Sequence, residues 1–143
     1  MDHLAILKKQ WGLLNMIKSG RKIAESRWYK NRVTPWNKIK VGDTLFFKDS
    51  GHSVTLKAYV TRIIQYQVED NNHAINILRH HAKDDLGFEQ IPPEIKNYIK
   101  NKKYAIFIWF NNVVDIKPFE IDKTGFGSQS AWITVDDINK IKI

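Results

Sequence analysis

Apolar and polar positions change rhythm along this chain, and the changes mark its elements. Residues 3–7 alternate weakly, as a short strand does. Leu7, Trp11, Leu14 and Ile17 then recur at helical spacing, Leu13 and Met16 widen the stripe, and Ser19-Gly20 supplies a stop. Lys22 to Tyr29 reads as a strand, and the basic loop after it contains Pro35, which blocks regular pairing. Turns at Val41-Gly42-Asp43 and Asp49-Ser50-Gly51 bracket a short strand, Thr44 to Lys48, and a longer strand runs from about Val54 to Ile64. Asn71 or Asn72 caps a helix carrying Ala74, Ile75, Ile77 and Leu78, and Pro92-Pro93 opens another ending near Lys102. Tyr104 to Phe110 is apolar on both faces, as a central buried strand is. Ile116, Phe119, Ala131 to Val135 and Ile138 to Ile143 read as short strands and turns.

The rhythm predicts a β-rich α+β fold, a small curled sheet or barrel flanked by helices, with a helical insert over roughly residues 70–102. At 143 residues, one domain over 1–143 is expected. There is no cysteine, which removes disulfides, thiolate catalysis and cysteine zinc sites. No secretory leader or membrane-length apolar run is visible, so a soluble, cytoplasmic monomer is expected. His73 and His80 fall two turns apart on one helix face without a carboxylate ligand between them, so the five histidines are expected to be solvent-facing or capping, and no metal or cofactor is expected.

Charge changes the picture more. The net charge is +8 and lies in the first half. Residues 1–62 hold thirteen Lys/Arg against four Asp/Glu, and residues 63–143 hold ten against eleven. From Lys18 to Lys40 there are eight basic residues and a single acid, Glu25, interleaved with Trp28, Tyr29 and Trp36. Cations alternating with aromatic faces suit a polyanion with flat bases, although basic surface also serves solubility alone. Within this stretch Gly20-Arg21-Lys22-Ile23-Ala24-Glu25-Ser26-Arg27 gathers an ammonium, a carboxylate and a guanidinium, fixed donors beside one acceptor.

Gly20, Lys22, Glu25 and Arg27 meet the pattern G-x-K-x-x-E-x-R after a helix, Ile39 to Leu45 supplies a Gly-Asp turn, and Tyr104 to Trp109 a late buried strand. With Pro118-Phe119 and Ala131-Trp132-Ile133 after that strand, the ordered set resembles the ASCH superfamily, whose domains are PUA-like mixed β-barrels flanked by helices. The resemblance implies a cleft for RNA, other single-stranded nucleic acid or a modified nucleoside. It also implies an alternative, a small hydrolase (an acylated-nucleoside amidohydrolase or a ribonuclease) using Lys22 and Glu25 as catalytic candidates. Lys22 stands at the lysine position of the amidohydrolase branch, but Glu25 stands where its threonine nucleophile would be. The later glutamate of that branch has no anchored match among Glu69, Glu89 and Glu94.

The ligand-reading candidates are Lys22, Glu25, Arg27, Trp28, Lys48 and Ser50; Lys18, Arg21, Lys30, Arg32, Trp36, Lys38 and Lys40 are candidates for tracking a nucleic-acid backbone. Lys22 either contacts ligand or pairs with Glu25. Glu25 either accepts from an exocyclic amine or neutralises Arg27 on the same strand face. Strict alternation puts Lys22 on the other face, so the three converge only if the strand starts after Lys22 or bulges there. Trp11, Trp109 and Trp132 are the expected core tryptophans. Gly125 to Ser130 lacks a phosphate-loop lysine, and Ser128 has no motif-placed base.

Overall fold

The computed structural model describes residues 1–127 and 129–143; Ser128 lies outside the described residues. Six strands form one mixed sheet: β1 (Asp2–Leu7), β2 (Ala24–Tyr29), β3 (Thr44–Asp49), β4 (Val54–Gln67), β5 (Tyr104–Phe119) and β6 (Trp132–Val135). Their spatial order is β2-β5-β4-β3-β1-β6. The β1–β3 pair is parallel, and the other pairs are antiparallel. Helix α1 (Leu13–Lys18) links β1 to β2, while α2 (Asn71–Leu86) and α3 (Pro93–Ile99) lie between β4 and β5. This is the α+β, β-rich curled half-barrel expected for a PUA-like chain.

The central strands explain the curl. Ala105 to Phe110 is buried on both faces because the barrel core lies on one side and the helices on the other. Inside the barrel, Leu45, Phe47, Ile106 and Ile108 are fully buried, and each such side chain contributes about 1.5–3 kcal/mol of transfer free energy. On the outer face, Ala24, Trp28 and Phe107 meet Ala74, Leu78, Ala82 and Ile99 of the helices. Register shifts along the β4–β5 pair bend these long strands.

Several boundaries differ from the rhythm of the sequence. Leu7 belongs to β1, and the helical stripe splits into a 3-10 turn (Lys9–Trp11) and the short α1, because Gly12 takes a left-handed φ of 64° between them. β2 begins at Ala24, not at Lys22. The cap of α2 is Asp70, whose carboxylate accepts the His73 amide at 2.7 Å; Asn71 and Asn72 are inside the helix. Ile116 and Phe119 extend β5 rather than forming separate strands, and Ile138–Ile141 is a 3-10 turn. Trp11 is only half-buried, whereas Trp28 joins the core with Trp109 and Trp132. His3 and His81 are buried and bonded to side chains, contrary to the expectation of solvent-facing or capping histidines.

Candidate functional site

The ends of the sheet order, β2 and β6, do not pair by backbone. A side chain spans the seam instead. Arg27 of β2 donates through Nη1 to the Ala131 carbonyl just before β6 (3.1 Å) and through Nη2 to the Ile6 carbonyl of β1 (3.2 Å). Nη2 also reaches Glu25 Oε2 at 2.8 Å, and the guanidinium lies 5.2 Å from the centre of the Trp132 ring. Arg27 thus holds the half-barrel together where strand pairing stops.

Because β2 starts at Ala24, Lys22 is free of strand alternation and turns toward Glu25. Its ammonium sits 3.0 Å from Glu25 Oε1, 3.0 Å from Asp85 Oδ1 and 2.5 Å from the Ala24 carbonyl, and it also donates to the Asp85 carbonyl. Asp85, from α2, takes a further hydrogen bond from Ser26 Oγ at 2.6 Å, and Trp28 Nε1 donates to that hydroxyl at 3.1 Å. Lys22 is 1% exposed and Glu25 4%.

Burial penalises the Lys22 ammonium, but Asp85 and Glu25 outweigh it and hold its pKa above the ordinary lysine value. Burial likewise opposes the Glu25 charge, and Lys22 with Arg27 reverses that, carrying Glu25 below the usual carboxylate range. Burial pushes Asp85 up; Lys22 offsets this only in part, and the Glu25 carboxylate adds to it. Two carboxylates share one ammonium, so Asp85 is the first of them to accept a proton as pH falls. Tyr29 and Tyr98, half-buried near Arg27, have hydroxyls shifted upward by desolvation, that of Tyr29 to about 12.

Two hollows meet at Arg27. The smaller, about 120 Å³, has a polar wall of Lys22, Glu25, Ser26, Arg27 and Asp85, facing an apolar wall that includes Trp11, Trp28, Leu78 and Tyr98. Lys8 also lines it, 4.7 Å above the Trp11 ring. The wider hollow, about 510 Å³, is walled by Arg27, Tyr29, Tyr98, Trp132 and Thr134, and by Val33 and Thr34 of the basic loop. Arg27 Nε is buried and has no hydrogen-bond partner among the described residues. A stranded buried donor costs about 1–3 kcal/mol, so an incoming acceptor gains the hydrogen bond that the protein itself does not supply there.

The chain superimposes on crystal structures of an ASCH protein from Zymomonas mobilis. A tyrosine-to-phenylalanine variant of that protein matches with TM-score 0.67 and 14% identity, over 97% of this chain and 93% of that one. A serine-to-alanine variant gives 0.67 and 14% over 97% and 91%, and the protein without either change gives 0.64 and 15% over 94% and 87%. The chain has the ASCH fold. No protein-family model and no curated protein matches the sequence.

Within this ASCH fold, Lys22, Glu25, Arg27 and Trp28 meet at the smaller hollow. Lys48, buried in β3, and Ser50, in the turn after it, line neither hollow. Lys30, Lys38 and Lys40 are exposed, as is Arg32, whose guanidinium lies 5.3 Å from the Tyr104 ring and 6.0 Å from that of Trp36. Trp36 is half-buried and edge-on to Tyr104. Lys18 pairs with Asp115 at 3.1 Å, and Arg21 donates to the Gly87 carbonyl at 3.3 Å.

Asp85, Ser26, Lys8 and Tyr98 are site residues that sequence patterning does not single out. Only Asp85 leaves a signal, as a polar residue continuing the apolar face Ala74, Ile77, Leu78, Ala82 of α2. Among the described residues, no group of three or more His, Asp or Glu is placed to hold a metal ion, and no helix is long and apolar enough to cross a membrane.

Proposed function

We propose that this protein binds RNA or a modified nucleobase, one flat polar ring entering the smaller hollow while the sugar–phosphate chain follows the basic loop. The observation that carries this reading is Arg27, which lines both hollows and whose buried Nε–H has no partner among the described residues. A ring carbonyl or ring nitrogen completes that donor, and the Glu25 carboxylate has lone pairs left for an exocyclic amine. The volume supports a single ring: an apolar cavity of about 150 Å³ admits benzene, and this one is about 120 Å³. Trp28 and Trp11 supply flat apolar walls. Lys30, Arg32, Lys38 and Lys40 then meet phosphates, giving affinity and salt dependence without base preference.

The hydrolytic alternative that uses Lys22 and Glu25 as an acid–base pair draws less support from their geometry. The three N–H bonds of Lys22 are divided among four acceptors, and its raised pKa keeps it charged. An ammonium so held is a poor base. Fluorescence anisotropy with labelled single-stranded RNA, between about 50 and 200 mM salt, tests the binding reading. Binding falls steeply across that range, and reversing Lys30, Arg32 and Lys38 together to Glu weakens it by at least about tenfold at the lower salt. Unchanged low-salt affinity in the triple variant refutes the role of the basic loop. Absence of binding to RNA and to free nucleosides refutes the function.

A further inference from the structure

Thr134, on the wall of the wider hollow, belongs to a side-chain relay that the nucleobase reading leaves unused. His3 of β1 and Thr134 of β6 are cross-strand partners. His3 Nδ1 lies 2.9 Å from Thr134 Oγ1, and His3 Nε2 lies 2.8 Å from Asp43 Oδ2. Trp132 decides the tautomer. Its indole N–H can only donate, and it points at His3 Nδ1 from 3.3 Å. The hydrogen of the neutral ring therefore sits on Nε2 and is donated to Asp43, which leaves Nδ1 to accept from the Thr134 hydroxyl. The Lys40 amide, 2.9 Å from Asp43 Oδ2, fixes the carboxylate.

Hydroxyl, bare imidazole nitrogen and carboxylate in that order are the parts of an activated nucleophile, its base and the group that orients the base. Burial lowers the pKa of His3 and keeps the ring neutral; burial also opposes the Asp43 charge, but the His3 hydrogen bond overcomes it and leaves the carboxylate ionised. Thr134 lines the 510 Å³ hollow, and so does Arg27, whose Nε–H is unpaired. The volume of this hollow falls within the range of small-molecule sites.

We infer that Thr134, His3 and Asp43 form a nucleophilic site for hydrolysis of small carboxylic esters, separate from the Lys22–Glu25 pair. Thr134 Oγ bonds to the acyl carbon while its proton passes to His3 Nδ1, which releases the Trp132 contact. The bond from the acyl carbon to the alcohol oxygen breaks, and His3 protonates the departing alkoxide. Water next attacks the acyl-threonine with His3 as base; the acyl–Oγ bond breaks and Thr134 regains its proton. One ester and one water give one acid and one alcohol.

The test is p-nitrophenyl acetate hydrolysis by the full chain, followed as p-nitrophenol release, with peptide mass spectrometry of quenched reactions. The expected result is an acetyl adduct on Thr134 and turnover that falls more than tenfold in the isosteric Thr134→Val and returns in part in Thr134→Ser. His3→Gln removes the base and lowers turnover similarly; the Val variant keeps the test valid even if that substitution of a buried ring prevents folding. Equal turnover in wild type and Thr134→Val, or adducts confined to lysines, overturns the proposal and leaves the trio as a structural clamp. Neither readout involves nucleic acid, so failure of the ester site and failure of nucleobase binding are distinguishable.

Discussion

Replacing Lys22 by Met probes the buried charge cluster most sharply. The side chains are similar in length, so the change removes an ammonium without opening a large cavity. What it leaves is expensive. Glu25 keeps only Arg27, Asp85 keeps only Ser26, and the Ala24 and Asp85 carbonyls lose the ammonium as a partner. Removing one member of a buried ion pair costs about 3–5 kcal/mol. The position is 1% exposed, so solvent does little to reduce that figure. For a domain of this size each kcal/mol lowers Tm by about 2–4 °C, so a fall of about 6–20 °C follows. The loss also depends on pH. Without Lys22, the Asp85 pKa rises further above its unfolded value, and the native state holds a proton that the unfolded chain does not. Stability of the variant therefore recovers as pH falls toward that raised pKa, so the gap to wild type is smaller at pH 5 than at pH 7. Neutralising the stranded acid in Lys22→Met/Asp85→Asn restores at least about 1 kcal/mol. Urea unfolding at both pH values, with m-values compared, measures all of this. A loss below about 1 kcal/mol at pH 7, or one that does not shrink on acidification, refutes the account of the cluster.

Three further outcomes are expected. Asp70→Ala removes the cap of α2 and lowers stability by about 1 kcal/mol, read from the shift in urea midpoint; a neutral result contradicts the cap. Gly87→Ala places a side chain at φ +77° and against the Met16 terminal methyl, and costs about 1–2 kcal/mol in the same assay. The His3 and His81 rings, both lowered by burial, titrate below 6.5 when followed by NMR. Between those folded values and 6.5 the unfolded chain binds more protons, so their contribution is full above 6.5 and is lost as pH falls below it. Either ring titrating above 6.5 contradicts its burial.

The elements that the sequence announces are those whose burial is one-sided or complete over several residues. Tyr104 to Phe110 reads as buried from either face, and it is buried between two cores. The far half of β5 is different. Asn111, Asn112 and Asp115 are exposed there, and their polarity makes one continuous strand read as separate short strands and turns. Gly12 breaks a helical stripe that hydrophobic spacing alone carries through, because spacing does not register a left-handed φ. At the site, the G-x-K-x-x-E-x-R spacing correctly brings Lys22, Glu25 and Arg27 together. Their partners come from elsewhere in the chain: Asp85 from 63 residues away and the Ala131 carbonyl from 104. The seam that makes Arg27 a clasp is a property of strand order, which local patterning does not encode.

On the binding reading, a ligand acceptor meets the Arg27 Nε–H, which has no partner among the described residues, beside a ring-sized hollow. Arginine Nε–H groups held in a protein interior give their own signals in ¹H–¹⁵N spectra, so this donor can be watched directly. Titration with the four common ribonucleosides and a short single-stranded RNA should move the Arg27 Nε–H proton signal downfield as a hydrogen bond forms, together with the Trp28 indole signal from the same wall. An Arg27 Nε–H signal that stays fixed while RNA saturates the protein contradicts the claim.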